Sequence, residues 1–340
     1  MTGSVRSRLS IGPFLLALVL VLAGCGGGGG QKEEKKEQSK GGSNQIAIEG
    51  SSTVAPITQA AAEGFNQQNP DVEITIGGAG TGDGFEAFCR GETQISDASR
   101  PITGEEADRC EQADIEFVEL PVALDALSIV VNPRNDFAEN ITLDQLRTLW
   151  EPSAEGEITA WNQVNPEWPD QQINLYGPGT QSGTFDYFTE KVVEKAKASR
   201  SDYQASEDDN VLVQGVAGDP NALGYFGFGY FEENQQRLKA LTVDGVAPSV
   251  ETAQSGEYPL SRPLFIYVST QALEDNPALQ EFVNFYLSNL DQFVPQAQFV
   301  PLDPQAVQET RQRFENRTTG TAPEEALGEG KGKEKGEKTK

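Results

Sequence analysis

Three times along this chain a short apolar run stops at a cluster of glycine, serine and threonine, and residues at helical spacing follow at once. Gln45–Glu49 alternates apolar and polar side chains as a strand does. It leads into Gly50-Ser51-Ser52-Thr53-Val54-Ala55-Pro56 and then into Ile57, Ala60, Ala61, Gly64 and Phe65 on one helical face. Val72–Ile76 alternates strictly and runs into Gly77-Gly78-Ala79-Gly80-Thr81-Gly82-Asp83-Gly84, after which Phe85, Phe88 and Cys89 mark a helix. Ile173–Leu175 ends at Tyr176-Gly177-Pro178-Gly179-Thr180-Gln181-Ser182-Gly183-Thr184, followed by Phe185, Phe188, Val192 and Val193 along a helix over 186–197. Each stretch predicts strand, tight turn, helix, the arrangement in which unsatisfied backbone N–H groups and the positive helix end face one point. Ser52, Thr53, Ser182 and Thr184 add hydroxyl donors, and Gly183 lets a ligand approach the backbone closely. One such turn is equally a well-capped helix, with Ser182 as N-cap and nothing bound. Its threefold recurrence favours a site for a small oxyanion.

The remaining pattern predicts an α/β chain with mainly parallel sheets. Ile95-Ser96-Asp97-Ala98-Ser99-Arg100-Pro101-Ile102 reads as a strand running into a turn. Phe117–Pro121 and Leu127–Asn132 are apolar runs framing Ala123-Leu124-Asp125-Ala126, a crossing between two lobes, and Leu264–Val268 is a buried return strand. Leu143–Trp150 is helical, residues 151–169 form a loop-rich excursion, and Ser206-Glu207-Asp208-Asp209-Asn210 caps a helix over Val211–Val216. The aromatic–glycine run Leu223–Tyr230 suits core packing, and Leu279–Leu290 is an amphipathic helix.

The ends of the chain set its compartment. Arg6 and Arg8 precede an apolar run, Ile11–Ala23, too short to span a bilayer and typical of a signal peptide. It closes on Leu22-Ala23-Gly24-Cys25, a bacterial lipobox, so residues 1–24 read as a lipoprotein signal peptide and Cys25 as the lipidated residue. Residues 25–44 are a glycine and Lys/Glu/Gln tether, and 319–340 a disordered polar tail. An exported chain is free to pair its other two cysteines, Cys89 and Cys110, in a disulfide, and two cysteines in a chain without histidine are a poor metal site. The chain carries 26 Lys+Arg against 52 Asp+Glu, a net charge of −26. That excess repels nucleic acid and anionic lipid, and it would also repel an anionic ligand at long range. Any oxyanion must therefore be held by local donors and dipoles. With no histidine, Ser182 has no imidazole base, which argues against a hydrolase; no carboxylate pair or metal-spaced cluster marks acid–base or metal chemistry, and no cofactor is expected. The loop 77–84 lacks the Lys-Ser/Thr of a P-loop and the spacing of a dinucleotide fingerprint.

Gly50-Ser51-Ser52-Thr53-Val54, Gly80-Thr81-Gly82-Asp83-Gly84-Phe85, Asp97-Ala98-Ser99-Arg100-Pro101-Ile102 and Gly179-Thr180-Gln181-Ser182-Gly183-Thr184-Phe185, in that order, resemble the PstS family of phosphate-binding proteins of ABC importers. The resemblance covers about residues 45–300 and includes Ser206–Gly215 and Gly224–Tyr230. It implies a two-lobed periplasmic-binding-protein type II fold with two interlobe crossings, lobe 1 from 45–122 and 258–318, lobe 2 from 123–257. It further implies a monomeric, non-enzymatic receptor, anchored to the outer face of the cell membrane, that closes on inorganic phosphate and passes it to ABC permease subunits. The alternatives are a receptor for another tetrahedral oxyanion and a surface-anchored sensing or interaction module. Carried over by position, Thr53, the Val54 N–H and Ser52 face phosphate from the first loop, Thr81 replaces the family's serine in the second, and Ser182, Gly183 and Thr184 match its Ser-Gly-Thr. Two positions depart from the family's best-known members. Pro178 stands where they place an arginine, and Ser99 where they place the aspartate that accepts the proton of hydrogen phosphate. Arg100, beside Ser99, is then expected to supply the cation. Asp97 and Asp125 are the candidates for the proton acceptor.

Overall fold

The computed structural model describes residues 44–323. The signal peptide, lipobox Cys25, nearly all of the tether, and the tail beyond 323 lie outside the described residues. Among these residues the chain runs β1 (Gln45–Gly50), α1 (Ala55–Asn66), β2 (Glu73–Ile76), α2 (Thr81–Cys89), β3 (Ile95–Ala98) and α3 (Gly104–Gln112) into a long strand, β4 (Phe117–Val131). An excursion follows: β5 (Asn140–Ile141), α4 (Leu143–Trp150), α5 (Trp161–Val164), β6 (Asn174–Pro178), α6 (Gly183–Val192), β7 (Gln204–Ser206), α7 (Asp209–Gly218), β8 (Ala222–Gly227), α8 (Phe228–Glu233), β9 (Lys239–Ala240), β10 (Thr242–Val243) and α9 (Val250–Gln254). The chain returns on β11 (Ser261–Ser269) and finishes with α10 (Thr270–Asp275), α11 (Pro277–Ser288), α12 (Leu290–Gln296) and α13 (Pro304–Glu315).

The principal sheet has the order β2-β1-β3-β11-β4-β8-β6-β7, with β9 also on β4. Its flanks are parallel, as the alternation of strand and helix predicts: β1 with β2 and β3, and β6 with β7 and β8. Its centre is antiparallel, a correction to the mainly parallel sheet expected. β11 runs against β3 and β4, and β4 against β8. Parallel neighbours need a crossover helix, which the flanks have. β4 and β11 are instead the two strands that join the lobes, and they pass in opposite directions. Of the segment Phe117–Asn132, which reads as two apolar runs around a crossing, Phe117–Val131 is one strand buried along its whole length. Residues 117–126 pair with β11 and 127–131 with β8.

The core divides along that strand. Val118, Leu120, Val122 and Ala123 pack with Ile46, Ile48, Ile57, Phe65, Phe282 and Tyr286. Leu124, Ala126, Leu127, Ile129 and Val131 pack with Trp150, Trp161, Trp168, Phe188 and Tyr225. On the way back the change falls between Leu260 and Leu264. Each fully buried large apolar side chain contributes roughly 1.5–3 kcal/mol, so both lobes have substantial cores, and the changeover places the polar residues Asp125 and Arg262 between them. Two details differ from the sequence reading. Val300 and Leu302, in a segment assigned to lobe 1, sit in the second core, and Val300 exchanges backbone hydrogen bonds with Leu124. The folded body also extends past residue 318: Gly320 bonds to the Phe117 carbonyl, and the Ala322 N–H donates to the buried Glu119 carboxylate at 2.7 Å.

Cys89, at the end of α2, and Cys110, in α3, form a disulfide. Among the described residues no helix is long and apolar enough to cross a membrane.

Candidate functional site

Loop geometry brings the ends of α1 and α2 together. At Gly50 the backbone adopts φ 144°, and a Cβ there would lie 2.1 Å from the Asp97 carbonyl oxygen, so only glycine lets β1 turn against β3. The Ser51 N–H donates to that carbonyl at 2.8 Å, and the Ser51 hydroxyl accepts from the Thr53 N–H at 3.2 Å. Helix α1 then starts at Ala55 with Pro56 in its first turn and no side-chain cap. Gly80 plays a similar part in the second loop: its N–H donates to the Gly50 carbonyl at 2.8 Å, and α2 starts after it, again without a side-chain cap. The Thr81 hydroxyl accepts from the Ser99 N–H at 3.1 Å and lies 3.1 Å from the Ser99 hydroxyl, tying the second loop to the third. From the other lobe comes α6, where Ser182 is the N-cap, its hydroxyl accepting from the Thr184 N–H at 3.2 Å. Gly183 sits against Thr53, with room for no Cβ: one built there would be 2.1 Å from the Thr53 hydroxyl oxygen.

These segments enclose a cavity of about 160 Å³, lined by Ser51, Ser52, Thr53, Gly80, Thr81, Gly82, Ser99, Arg100, Gly183, Asp186, Glu190, Ala196 and Arg262. Six of the residues singled out from sequence therefore meet: Ser52, Thr53, Thr81, Ser99, Arg100 and Gly183. Val54 is buried just behind the cavity, and its N–H turns back to the Ser51 carbonyl at 3.2 Å. Ser182 and Thr184 are half-buried and are not part of its lining; the Ser182 hydroxyl and the Thr184 N–H are engaged with each other in the cap.

The charged groups are arranged differently from expectation. Arg100 lines the cavity, yet its Nη1 and Nη2 also form a two-pronged pair with the Glu106 carboxylate at 2.8 Å each, and Nη1 reaches the Pro101 carbonyl. Glu106 belongs to the capping box that opens α3, and that local use of the residue was not read from the sequence. Asp97 is fully buried outside the cavity, and burial pushes its carboxyl up to about 8, opposed by the Thr58 hydroxyl and reinforced by Glu49. Asp125 is also buried outside the cavity, where its Oδ2 accepts from Arg262 Nε and Nη2 at 3.1 Å each. Asp186, from the first turn of α6, is in the lining. Its Oδ1 is buried with no hydrogen-bond partner among the described residues, and Oδ2 is 3.7 Å from the Lys197 ammonium. Burial raises the Asp186 carboxyl above its ordinary range, against the pull of Lys197 and Arg262. Sequence reading missed Asp186, Glu190 and Arg262. The one available signal for Arg262 was a lone cation at the head of a strongly apolar strand.

A cavity walled by loops from both lobes at the join of two crossing strands defines a two-lobed solute receptor, and the sequence matches the PBP superfamily domain over residues 35–289. Protein SphX of Synechocystis sp. is 50% identical over 284 residues, covering 82% of this chain and 84% of SphX. The phosphate-binding protein PstS of Staphylococcus saprophyticus is 36% identical over 280 residues, covering 81% and 86%. The crystal structure of a possible phosphate binding protein from Planctomyces limnophilus aligns with a TM-score of 0.75 at 44% identity, over 80% of this chain and 98% of that one. The chain belongs to the PstS family, whose members are substrate-binding receptors of ABC transporters and not enzymes.

Proposed function

We propose that this protein captures inorganic phosphate between its lobes and delivers it to the permease of an ABC importer. It does so as a monomer outside the cytoplasm, held to the membrane by a lipid on Cys25. The observation that carries the reading is the convergence of the uncapped start of α2, hydroxyls from three loops, and two arginines on one small cavity. At about 160 Å³ it is well below the roughly 300–1,000 Å³ of sites for drug-sized ligands, and it suits a single oxyanion. In this reading lobe 1 comprises 45–122 and 258–318 together with the strap to Ala322, and lobe 2 comprises 123–257, its core completed by Val300 and Leu302. Ser52, Thr53, Thr81, Ser99 and Arg100 donate from the first lobe and Gly183 from the second, while the Val54 N–H closes the first loop. Ser182 and Thr184 hold the start of α6 in place beside the ligand. Hydrogen phosphate also has a proton to give, which sulfate lacks, so selection between them needs an acceptor in the cavity. Asp186 supplies it, in place of Asp97, which lies outside the cavity, and Asp125, which is committed to Arg262.

The test is calorimetric titration of the anion-stripped protein with phosphate and sulfate, separately, at pH 8. Saturation by micromolar phosphate and none by sulfate is expected, with Asp186→Asn admitting sulfate. Equal binding of the two anions by the wild type would return the protein to the wider class of oxyanion receptors.

A further inference from the structure

The position four residues before Ser182 is Pro178, so the cation carried there by the family's best-known members is missing, and Arg100 shares its charge with Glu106. A second guanidinium reaches the same cavity from a place no motif marks. Arg262 lies on β11, directly across the ladder from Asp125 on β4, between the two cores. A guanidinium has five N–H donors. Arg262 directs Nε and Nη2 to Asp125 Oδ2 at 3.1 Å, and Nη2 also approaches the Thr53 hydroxyl at 3.4 Å. Among the described residues nothing accepts from Nη1, so its two donors remain for a ligand. The guanidinium carbon sits 3.9 Å above the centre of the Tyr187 ring. The Arg262 side chain is 13% exposed and Asp125 1%, whereas the Arg100 side chain is 35% exposed. Both arginines are paired with a carboxylate, but Arg262 is the less exposed of the two, so its contact with an anion in the cavity is the less screened by solvent.

We infer that Arg262 is the principal cationic contact of the bound anion, and that Asp125 is the positioning residue that aims it. The inference rests on the receptor reading above. Arg262 also touches lobe 1 through Thr53, the crossing strands through Asp125 and lobe 2 through Tyr187. An anion drawn to Nη1 is thereby held where the lobes meet. Asp125 fixes the direction of the fork and balances the charge while the site is empty. A lysine at 262 would keep the charge, but it could not hold Asp125, stack on Tyr187 and reach the ligand together.

The experiment is calorimetry of the full protein with phosphate and with sulfate, on the wild type, Arg262→Gln, Arg262→Lys, Asp125→Asn, Arg100→Gln and the Arg262→Gln/Asp125→Asn double variant, each checked by thermal melting. Losing a buried charged contact should weaken the preferred anion by at least about thirtyfold in Arg262→Gln, and by less in Arg100→Gln. Arg262→Lys should recover only part of the loss. Asp125→Asn should weaken binding when Arg262 is present and have no further effect when it is absent, the non-additivity expected of one unit. Affinity within threefold of wild type in Arg262→Gln, or a larger loss in Arg100→Gln, would overturn the assignment. Additive effects at 125 and 262 would reduce Asp125 to a merely structural role. If the wild type prefers sulfate, the phosphate reading fails and Arg262 is judged on sulfate. If it binds neither anion, both fall. Should Arg262→Gln not fold, Arg262→Lys decides, since full affinity there would refute the requirement for the fork.

Discussion

At the scale of single residues, contact distances across the lobe interface carry the most direct consequences. Gly183 touches Thr53 so closely that an added Cβ would fall 2.1 Å from the hydroxyl oxygen. Gly183→Ala must therefore push the start of α6 away from the first loop. Phosphate affinity should fall tenfold or more, with the melting temperature little changed because α6 gains helix propensity; equal affinity in a calorimetric titration would show that the contact is not part of the bound state. Asp97 makes a different prediction. Its carboxyl is raised from 3.8 to about 8 in the folded protein, so the folded state holds a proton that the unfolded chain releases. That contribution to stability is complete below pH 4, declines as pH rises toward 8 and is flat above it. Asp97→Asn removes the decline. Relative to the variant, wild type should lose at least about 1.4 kcal/mol between pH 5 and pH 8, the value of one pKa unit. Denaturant melts at the two pH values that differ equally in both proteins would mean Asp97 is not protonated in the fold.

At the scale of elements, the disulfide and the C-terminal strap stabilise the third loop from below. Cys89 and Cys110 tie α2 to α3 across a separation of 21 residues. The cross-link should be worth about 3 kcal/mol in the chain-entropy view. Reduction should then lower the melting temperature by several degrees and leave the preference for phosphate over sulfate intact, and a melt that is the same with and without reductant would contradict this. The strap acts through Glu119, which accepts from the Ala322 N–H and the Tyr267 hydroxyl, while Tyr267 in turn accepts from the Ile102 N–H at 2.9 Å. The loop bearing Ser99 and Arg100 is thus supported from two strands of the central ladder, and its geometry is a property of the sheet more than of its own five residues, 99–103.

At the scale of the molecule, the acidic surface and the two cavity arginines pull in opposite directions. A net charge of −26 repels an approaching phosphate out to about a Debye length, a range that added salt shortens, while Arg100 and Arg262 attract it at contact. Added salt should raise the association rate constant, the reverse of the usual behaviour of a charged receptor for its ligand. Stopped-flow measurements between low and physiological ionic strength test this, and a rate that falls with salt would show that the field at the cavity mouth is positive. Trp150, Trp161 and Trp168 are all buried in the second core and none lines the cavity. Direct contact of the bound anion with a tryptophan is therefore not expected.

What the amino-acid sequence determined by itself was local. The three strand–turn–helix units form in the order their residues predict, because capping, φ freedom and apolar periodicity act over a few residues, but α2 and α6 begin earlier than read, at Thr81 and Gly183, and α6 ends at Val192 and not 197. Cys89 and Cys110 could be paired by compartment and elimination, and Ala123–Ala126 could be placed between lobes from the apolar runs around it. Tertiary structure decided the rest. The antiparallel centre of the sheet depends on which distant strand lies beside β4, and nothing within residues 117–131 specifies β11. Arg262 and Asp125 are 137 residues apart and become partners only across that ladder. Asp97 and Asp125 both stand beside recognisable segments, yet the fold turns both away from the cavity and brings Asp186 into it. Electrostatic roles depend on burial and on neighbours supplied by remote parts of the chain, and those exist only once the two lobes have met.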